Sequence, residues 1–397
     1  MSEKPTAGLV VPAVAVMVFI AASTAPTPIY PLYQSAWHFP ALTLTVIFAV
    51  YCVALLAALL TVGSLADHIG RRPVLLAAIG IQILSLAVFA LADGVPALIA
   101  ARILQGLATG TASGALAAAI MDADQRRGPL LNATMPIAGT AAGPLLAALL
   151  VQFAPQPMRT TYVLLILALA GLTVAVVTLL PGTETRRPGA LASLRPSVHV
   201  PAPARRAFLI AAPITVAAWA MGGFYLSLGP AMTRMVTGSA ATLTAGLVTF
   251  LLPASALAAV LLMRRASGRT LLITGSALMF AGATLTVLAV AATVTTLFFL
   301  SAALAGMGFG TGFQGAIRTV LPLAAPGERA GLASALYAVT YLAMGLPAVT
   351  AGAFVLTAGL PATAEVYGAS VAALALAALL AALAETRSRI RPAVLIP

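Results

Sequence analysis

The segment Gly63-Ser64-Leu65-Ala66-Asp67-His68-Ile69-Gly70-Arg71-Arg72 joins two long apolar stretches, near residues 41–65 and 73–92. Apolar runs of about 20 residues are long enough to cross a bilayer as helices. The segment is therefore a short loop at a membrane surface. Gly63 permits close helix approach, Gly70 permits a tight turn, and Asp67 places a carboxylate at a helix end.

The composition of the whole chain also indicates a membrane protein. Of its 397 residues, 61% are hydrophobic and 8% are charged, against about 25% charged in a typical soluble domain, and the mean hydropathy is +1.06. These values exclude a soluble enzyme, a disordered chain and a nucleic-acid binder. One Lys, one Cys and three His predict no cofactor and no Cys/His metal site.

The hydrophobic pattern predicts an all-α membrane protein with about twelve transmembrane helices, because the apolar stretches are continuous and a β-barrel would show short alternating ones. The predicted spans lie near residues 8–30, 41–65, 73–92, 96–121, 129–152, 161–181, 207–228, 240–263, 270–291, 294–318, 330–352 and 366–384.

A stretch rich in Pro, Ser and Arg divides these spans into two sets of six. We predict an N-terminal six-helix bundle (1–181), a cytoplasmic linker (182–206), and a C-terminal six-helix bundle with a short basic tail (207–397). Gly106 and Gly110 recur as Gly306 and Gly310, which indicates a diverged internal repeat. Such repeats are typical of secondary transporters, whose substrate site lies between the halves.

The basic residues predict the orientation in the membrane. Of the 21 Lys and Arg residues, all but Arg102, Arg159 and Arg234 fall on one side of the predicted spans. The positive-inside rule places that side, with both termini and the linker, in the cytoplasm. The tail residues Arg387, Arg389 and Arg391 are expected to anchor this topology, with membrane lipid as a partner.

Two further patterns lie within predicted spans. Span four contains Arg102, Gln105, Gly106 and Gly110, and span five contains Gly139-Thr140-Ala141-Ala142-Gly143-Pro144. Arg102 and Gln105 are one helical turn apart and share a face. Glycines four residues apart allow tight helix packing, and Pro144 bends its helix.

With the loop at Gly63–Arg72, these patterns resemble the signatures of the major facilitator superfamily, and the span-five pattern resembles its twelve-helix drug/proton antiporter branch. The resemblance implies two pseudo-symmetric six-helix bundles and efflux of a small organic molecule against proton entry, with the loop controlling the cytoplasmic gate. It also implies a multi-pass protein of the bacterial inner membrane. The last two glycines of the antiporter pattern are Ala147 and Ala148 here, which is a mild departure.

Arg102 is the charge that we place within the membrane interior, where a charge costs about 2.5–3.5 kcal/mol on insertion scales. Pro26 and Pro28 each remove a backbone donor and leave carbonyls free near Ala22 and Thr24. We hypothesise that Arg102 donates to those carbonyls, and that it either supports coupling or only pins helices together. It is also a candidate for attracting an anionic group of the substrate.

A second departure concerns the proton carrier. Drug/proton antiporters often carry an acidic residue inside a helix, whereas all nine acidic residues here fall at span ends, in loops or at termini. Asp67, Asp93 and Glu365 are the remaining candidates, and a solvated carboxylate at a span end is the alternative for each. Coupling through Arg102 and water, or no coupling, stays open.

Polar and aromatic residues on interior-prone helices predict the substrate cavity, because Tyr and Trp combine apolar area with a hydrogen-bonding tip. The candidates are Thr27, Tyr30, Tyr51, Thr109, Trp219, Tyr225, Gln314, Tyr337 and Tyr341. Without acids in the pocket, neutral, weakly cationic or anionic amphiphiles fit better than polyvalent cations.

Function therefore has one leading interpretation and two alternatives. The leading interpretation is a monomeric, proton-coupled exporter of small amphiphilic molecules that works by alternating access. The first alternative is a metabolite exporter or uptake carrier, for example for a sugar or an amino acid. The second, of another class, is a membrane sensor or scaffold that no longer transports.

Overall fold

A computed structural model describes residues 4–180, 188–190, 194–239 and 241–390, with side chains from residue 8 to residue 385. Parts of the predicted linker, the side chains of Arg387 and Arg389, and the whole of Arg391 lie outside this description. The helices are α1 (Lys4–Thr24), α2 (Tyr30–Trp37), α3 (Ala41–Val62), α4 (Ala66–Ile69), α5 (Arg71–Ala90), α6 (Val95–Ala123), α7 (Gly128–Phe153), α8 (Pro157–Leu179), α9 (Ala202–Ser227), α10 (Gly229–Thr237), α11 (Thr242–Leu262), α12 (Gly268–Ala291), α13 (Thr295–Val320) and α14 (Arg329–Ile390).

The described residues contain eleven helical segments that are long and apolar enough to cross a membrane. The last of them, Pro326–Glu385, has 60 residues and is interrupted at Gly359, where φ is +79°. A side chain would be strained there, so glycine allows the chain to turn without a loop. Residues 329–358 and 360–390 are each long enough to span, and the prediction of about twelve spans is confirmed.

The first span is broken where the sequence places two prolines. Helix α1 ends at Thr24, a 3₁₀ turn follows at Thr27–Ile29, and α2 continues from Tyr30. Pro26 and Pro28 lack the N–H groups that would bond to the preceding helical turn. Carbonyls near the end of α1 are consequently available to side chains from other helices.

Each half has its own hydrophobic core. Phe19, Phe89 and Tyr162 are buried in the N-terminal half, and Phe224 and Phe298 in the C-terminal half. The predicted repeat has a structural counterpart, described by four glycines. A Cβ on Gly106 would meet the backbone of α3 at Tyr51, and a Cβ on Gly110 would meet it at Leu55. In the same way, a Cβ on Gly306 would meet the backbone of α11 at Leu252, and a Cβ on Gly310 would meet it at Ala256.

The two halves contact each other through α3 with α14 and α7 with α11. Gly345 of α14 lies against the Cβ of Cys52, and Gly352 lies against Thr45. Gly246 of α11 lies against Ala148 of α7. These contacts close one end of the molecule, which we call the far end.

The opposite end, which we call the basic end, carries the loops with Arg71, Arg126 and Arg264. There the two halves are separated by a cavity, described next.

Candidate functional site

A cavity of about 1020 Å³ lies between the two halves. It extends from Thr27 and Tyr225, deep in the helices, to Arg126, Arg264 and Arg265 at the basic end, whose side chains are exposed to solvent. Its size is at the upper end of the range for small-molecule sites. The cavity is therefore open at the basic end and closed at the far end.

The structure places eight of the nine predicted cavity residues on its wall: Thr27, Tyr51, Thr109, Trp219, Tyr225, Gln314, Tyr337 and Tyr341. Tyr30 is the exception. It begins α2 after the proline-induced turn, is 1% exposed, and its hydroxyl accepts a hydrogen bond from Arg102. The break in span one turns Tyr30 away from the cavity, and the prediction for this residue is wrong.

Part of the wall is a cluster of rings that we call the aromatic cluster: Trp219, Phe309, Phe313, Tyr337 and Tyr341. The indole of Trp219 has ring centroids 5.4 Å from Phe309, 5.3 Å from Phe313 and 5.5 Å from Tyr341. Tyr337 and Tyr341 are 6.3 Å apart. The cluster belongs entirely to the C-terminal half, on α9, α13 and α14.

Sequence reasoning missed Phe309 and Phe313, although their spacing of four residues places them on one face of α13, beside Gln314. It also interpreted the arginines of the basic end as determinants of topology alone. Arg126, Arg264, Arg265 and Arg318 all line the cavity, and the lining residues that the structure describes include no Asp or Glu.

Arg102 is at the centre of a buried hydrogen-bond network. Its side chain is 1% exposed. Its Nε donates to the Tyr30 hydroxyl (2.5 Å), and Nη1 donates to the Ser23 carbonyl (2.7 Å) and to Gln105 Oε1 (2.6 Å). Gln105 Nε2 in turn donates to the Ala22 carbonyl (3.0 Å). The expected donation to carbonyls at the end of α1 is present, with Ser23 as the acceptor.

The guanidinium of Arg102 also lies 5.3 Å from the ring centroids of Tyr30 and Tyr51. These rings and carbonyls shield it, and Arg102 is not part of the cavity wall. Two of its three nitrogens, Nε and Nη1, already donate to the protein, so the geometry does not support the expectation that Arg102 attracts an anionic group of the substrate.

With this geometry established, comparison with characterised families becomes informative. The family model described as Major Facilitator Superfamily matches residues 13–349. The chain belongs to the major facilitator superfamily. It is accordingly a secondary transporter and a multi-pass membrane protein, and not an enzyme.

A search of solved structures finds similarity to the crystal structure of a mutant of the nucleoside transporter NupG. The TM-score is 0.73 at 12% sequence identity, with 94% of this chain and 99% of that chain covered. At this identity the likeness supports the shared fold alone. No curated protein matches the chain.

The loop that carries the superfamily signature lies at the basic end. Gly70 has φ +94°, which favours glycine, and turns the chain from α4 into α5. Arg71 forms an ion pair with Asp122 at the end of α6. Arg72 Nη2 donates to the Val177 carbonyl of α8 (2.6 Å). Asp67 is exposed.

The next loop is organised by Asp124. The backbone N–H groups of Arg127 (2.9 Å) and Arg126 (2.8 Å) donate to its Oδ1. These bonds, the first above all, lower the pKa of Asp124 below its usual value. The carboxylate thus orders the turn that presents Arg126 to the cavity.

The span-five pattern packs against the first helix. A Cβ on Gly139 would meet the Met17 carbonyl, and a Cβ on Gly143 would meet the Ala21 carbonyl, both on α1. Pro144 is buried in α7. These residues hold α7 close to the segment that supplies carbonyls to Arg102 and Gln105.

The three proposed proton carriers differ in their surroundings. Asp67 and Asp93 are exposed, whereas Glu365 is half-buried within α14, beyond the break at Gly359. None of the three lines the cavity. Among the described residues, no group of three or more His, Cys, Asp and Glu is arranged to hold a metal ion.

Proposed function

We propose that the protein exports small amphiphilic organic molecules across the bacterial inner membrane by alternating access. The observation that carries the proposal is the cavity of about 1020 Å³ between the halves, open at the basic end and closed at the far end by helix packing. A site with this exposure can load substrate from one side only, as the first step of alternating access requires.

The arginines of the basic end support export as the direction of transport. By the positive-inside rule, loops rich in Arg face the cytoplasm. The open end of the cavity is the end with Arg126, Arg264 and Arg265. Substrate would therefore enter from the cytoplasm and leave at the far end once the contacts of α3 with α14 and of α7 with α11 open.

The side chains of the cavity wall support small amphiphilic molecules as the substrate class. Rings and aliphatic side chains supply apolar area, and Thr27, Thr109 and Gln314 add hydrogen-bonding groups. The described wall has arginine and no carboxylate, so neutral or anionic amphiphiles are favoured over cations. The polar groups also favour a second candidate, a metabolite exporter whose substrate has several hydroxyl or amide groups.

Proton coupling is part of the proposal, and Glu365 is its leading carrier. Glu365 is half-buried within a membrane-spanning helix, and ionisable residues within such helices are typical of proton pathways in transporters. Asp67 and Asp93, in contrast, are exposed and lie outside the long apolar helices.

The test uses purified protein in liposomes with an imposed pH gradient. Internal pH is followed while lipophilic drugs and common metabolites are added in turn. We expect substrate-dependent proton flux that is lost in Glu365→Gln and kept in Asp93→Asn. Saturable counterflow without proton flux would contradict the coupling, and flux only with sugars or amino acids would support the second candidate.

A further inference from the structure

We infer that the transported molecule is an aromatic organic anion, with its ring in the aromatic cluster and its anionic group toward the arginines of the basic end. This inference rests on the proposed function, because it assigns a substrate class to the same cavity. It depends on two observations: the aromatic cluster and the distribution of charge on the wall.

The first observation is the geometry of the aromatic cluster. The rings of Phe309, Tyr341 and Phe313 are tilted against the indole of Trp219 by 57°, 59° and 81°. Tilted and edge-on arrangements at these distances are those that aromatic pairs prefer. An aromatic ring that enters from the cavity can therefore contact both the faces and the edges of these rings. An aliphatic ring has no such aromatic faces and edges and gains only apolar contact.

Trp219 carries a second feature within the cluster. Its indole N–H is shielded and has no hydrogen-bond partner in the part of the chain that the structure describes. Buried donors are nearly always paired. An acceptor on the substrate that contacted this N–H would supply the missing partner.

The second observation is the charge on the wall. Arg126 comes from the N-terminal half, and Arg264, Arg265 and Arg318 come from the C-terminal half, so both halves contribute. The described lining residues include no carboxylate that would neutralise them. Arg318 Nη1 donates to the carbonyls of Arg264 and Ala266, which ties the end of α13 to the loop that carries Arg264 and Arg265. Arg318 therefore marks the height of that loop along α13, and the exposed Arg126, Arg264 and Arg265 are the groups that face an anion.

Spacing along α13 connects the two features. Phe313 and Arg318 are five residues apart, and Phe309 and Arg318 are nine residues apart. At 1.5 Å per residue, these separations are roughly 8 and 14 Å along the helix. A molecule with its ring in the aromatic cluster and a carboxylate several bonds away spans this distance.

Topology alone also places arginines at this membrane surface, so the experiment must separate a binding role from an orienting role. Phenylhexanoate is the probe. Its matched analogues change one property each: cyclohexylhexanoate loses the aromatic ring, phenylhexanamide loses the charge, and phenylhexylamine reverses it.

The reporter is built into the chain, which has two tryptophans, Trp37 and Trp219. In Trp37→Phe, tryptophan emission comes from Trp219 in the aromatic cluster. In the matched control Trp219→Phe, it comes from Trp37, which stacks on Tyr33 outside the cavity. A response to the probe in the first variant and none in the second separates binding in the cavity from partition into detergent.

We expect saturable binding of phenylhexanoate that is tighter than that of the cyclohexyl analogue by about two- to tenfold, the range that contacts between aromatic rings provide. The acid should also bind more tightly than the amide and the amine. The double variant Arg264→Gln, Arg265→Gln should weaken the acid and leave the amide unchanged. Phe309→Leu should weaken the phenyl acid more than the cyclohexyl acid.

Equal binding of phenyl and cyclohexyl acids, tighter binding of the amide or amine, or no saturable response would each overturn the inference. Because binding is measured at equilibrium in detergent, its result is independent of direction and coupling. Transport of other compounds in liposomes without binding of phenylhexanoate would leave the proposed function standing and remove this inference. Binding without any transport would contradict the proposed function, while the assignment of the cavity to an aromatic anion as its ligand would stand.

Discussion

The two halves share their packing and differ in their chemistry. Gly106 and Gly306 both press a helix against its neighbour's backbone, so the repeat is evident in the contacts. Four residues earlier, the N-terminal half has the buried Arg102 and the C-terminal half has Ala302. The same packing of helices therefore recurs in both halves, whereas the charged network belongs to one half and the aromatic cluster to the other.

The buried polar group of the C-terminal half that corresponds to the Arg102 network consists of neutral hydroxyls. There, the Tyr225 hydroxyl lies 3.2 Å from the Thr286 hydroxyl and 3.3 Å from the Ser301 hydroxyl, and it has no charged hydrogen-bond partner among the described residues. A buried charge requires several well-placed acceptors, while a neutral hydroxyl requires one or two. The N-terminal half thus depends on a complete network, and this difference can be tested by mutation.

The largest effect is expected from Arg102→Leu. The substitution leaves Gln105 Oε1, the Ser23 carbonyl and the Tyr30 hydroxyl without their donor, and each buried acceptor left unsatisfied costs about 1–3 kcal/mol. Thermal unfolding in detergent should show a large loss of stability. The control is Arg159→Leu, which removes an exposed arginine. Equal unfolding temperatures for the two variants would refute a structural role for the network.

The next effect tests whether the halves are equivalent in packing. In Gly106→Ala and Gly306→Ala, the new Cβ meets the backbone of α3 and of α11 respectively. Overpacking of this kind costs about 1–3 kcal/mol, and we expect similar losses of stability in both. Gly171→Ala in α8 is the matched control, because its Cβ meets nothing within 4 Å. A loss confined to one half would contradict the structural repeat.

A smaller effect distinguishes the two polar centres. Tyr30→Phe removes the acceptor of a charged donor, worth about 1.5–3 kcal/mol, whereas Tyr225→Phe removes neutral hydrogen bonds worth about 0.5–1.5 kcal/mol. Chemical denaturation of both variants should therefore show the greater loss in Tyr30→Phe. The reverse order would mean that Arg102 is satisfied without the phenol.

The smallest effect concerns the basic end. Asp122→Asn removes the partner of Arg71 from a pair that is largely exposed on the aspartate side, 66% against 27% for Arg71. Exposed pairs contribute about 0–1 kcal/mol and are screened by salt. We expect a small loss of stability at low salt that vanishes at high salt. A salt-independent loss would show that the pair acts through packing.

The sequence was sufficient for the helices and for the backbone carbonyl that accepts from Arg102. It was insufficient for the Tyr30 hydroxyl as a partner of Arg102 and for the shape of the cavity wall. Apolar length predicts spans, and Pro26 and Pro28 predict free carbonyls near the residues that accept from Arg102 and Gln105. Tyr30 was misplaced because a 3₁₀ turn changes which way the following residue faces, and that turn has no periodic signal.

The aromatic cluster could not be predicted because its rings come from three helices that are distant in sequence. Phe309 and Phe313 are ordinary residues of an apolar helix until α9 and α14 bring Trp219 and Tyr341 beside them. The arginines of the basic end were visible in the sequence, but only the separation of the halves makes them part of a cavity wall.

The contact between Gly345 and Cys52 has a practical consequence. Cys52 carries the chain's only thiol, is 1% exposed, and lies where α3 meets α14. While the far end is closed, a water-soluble maleimide cannot reach it. The rate at which Cys52 is labelled in the unmodified protein would therefore report how often α3 separates from α14. A transported substrate would change that labelling rate.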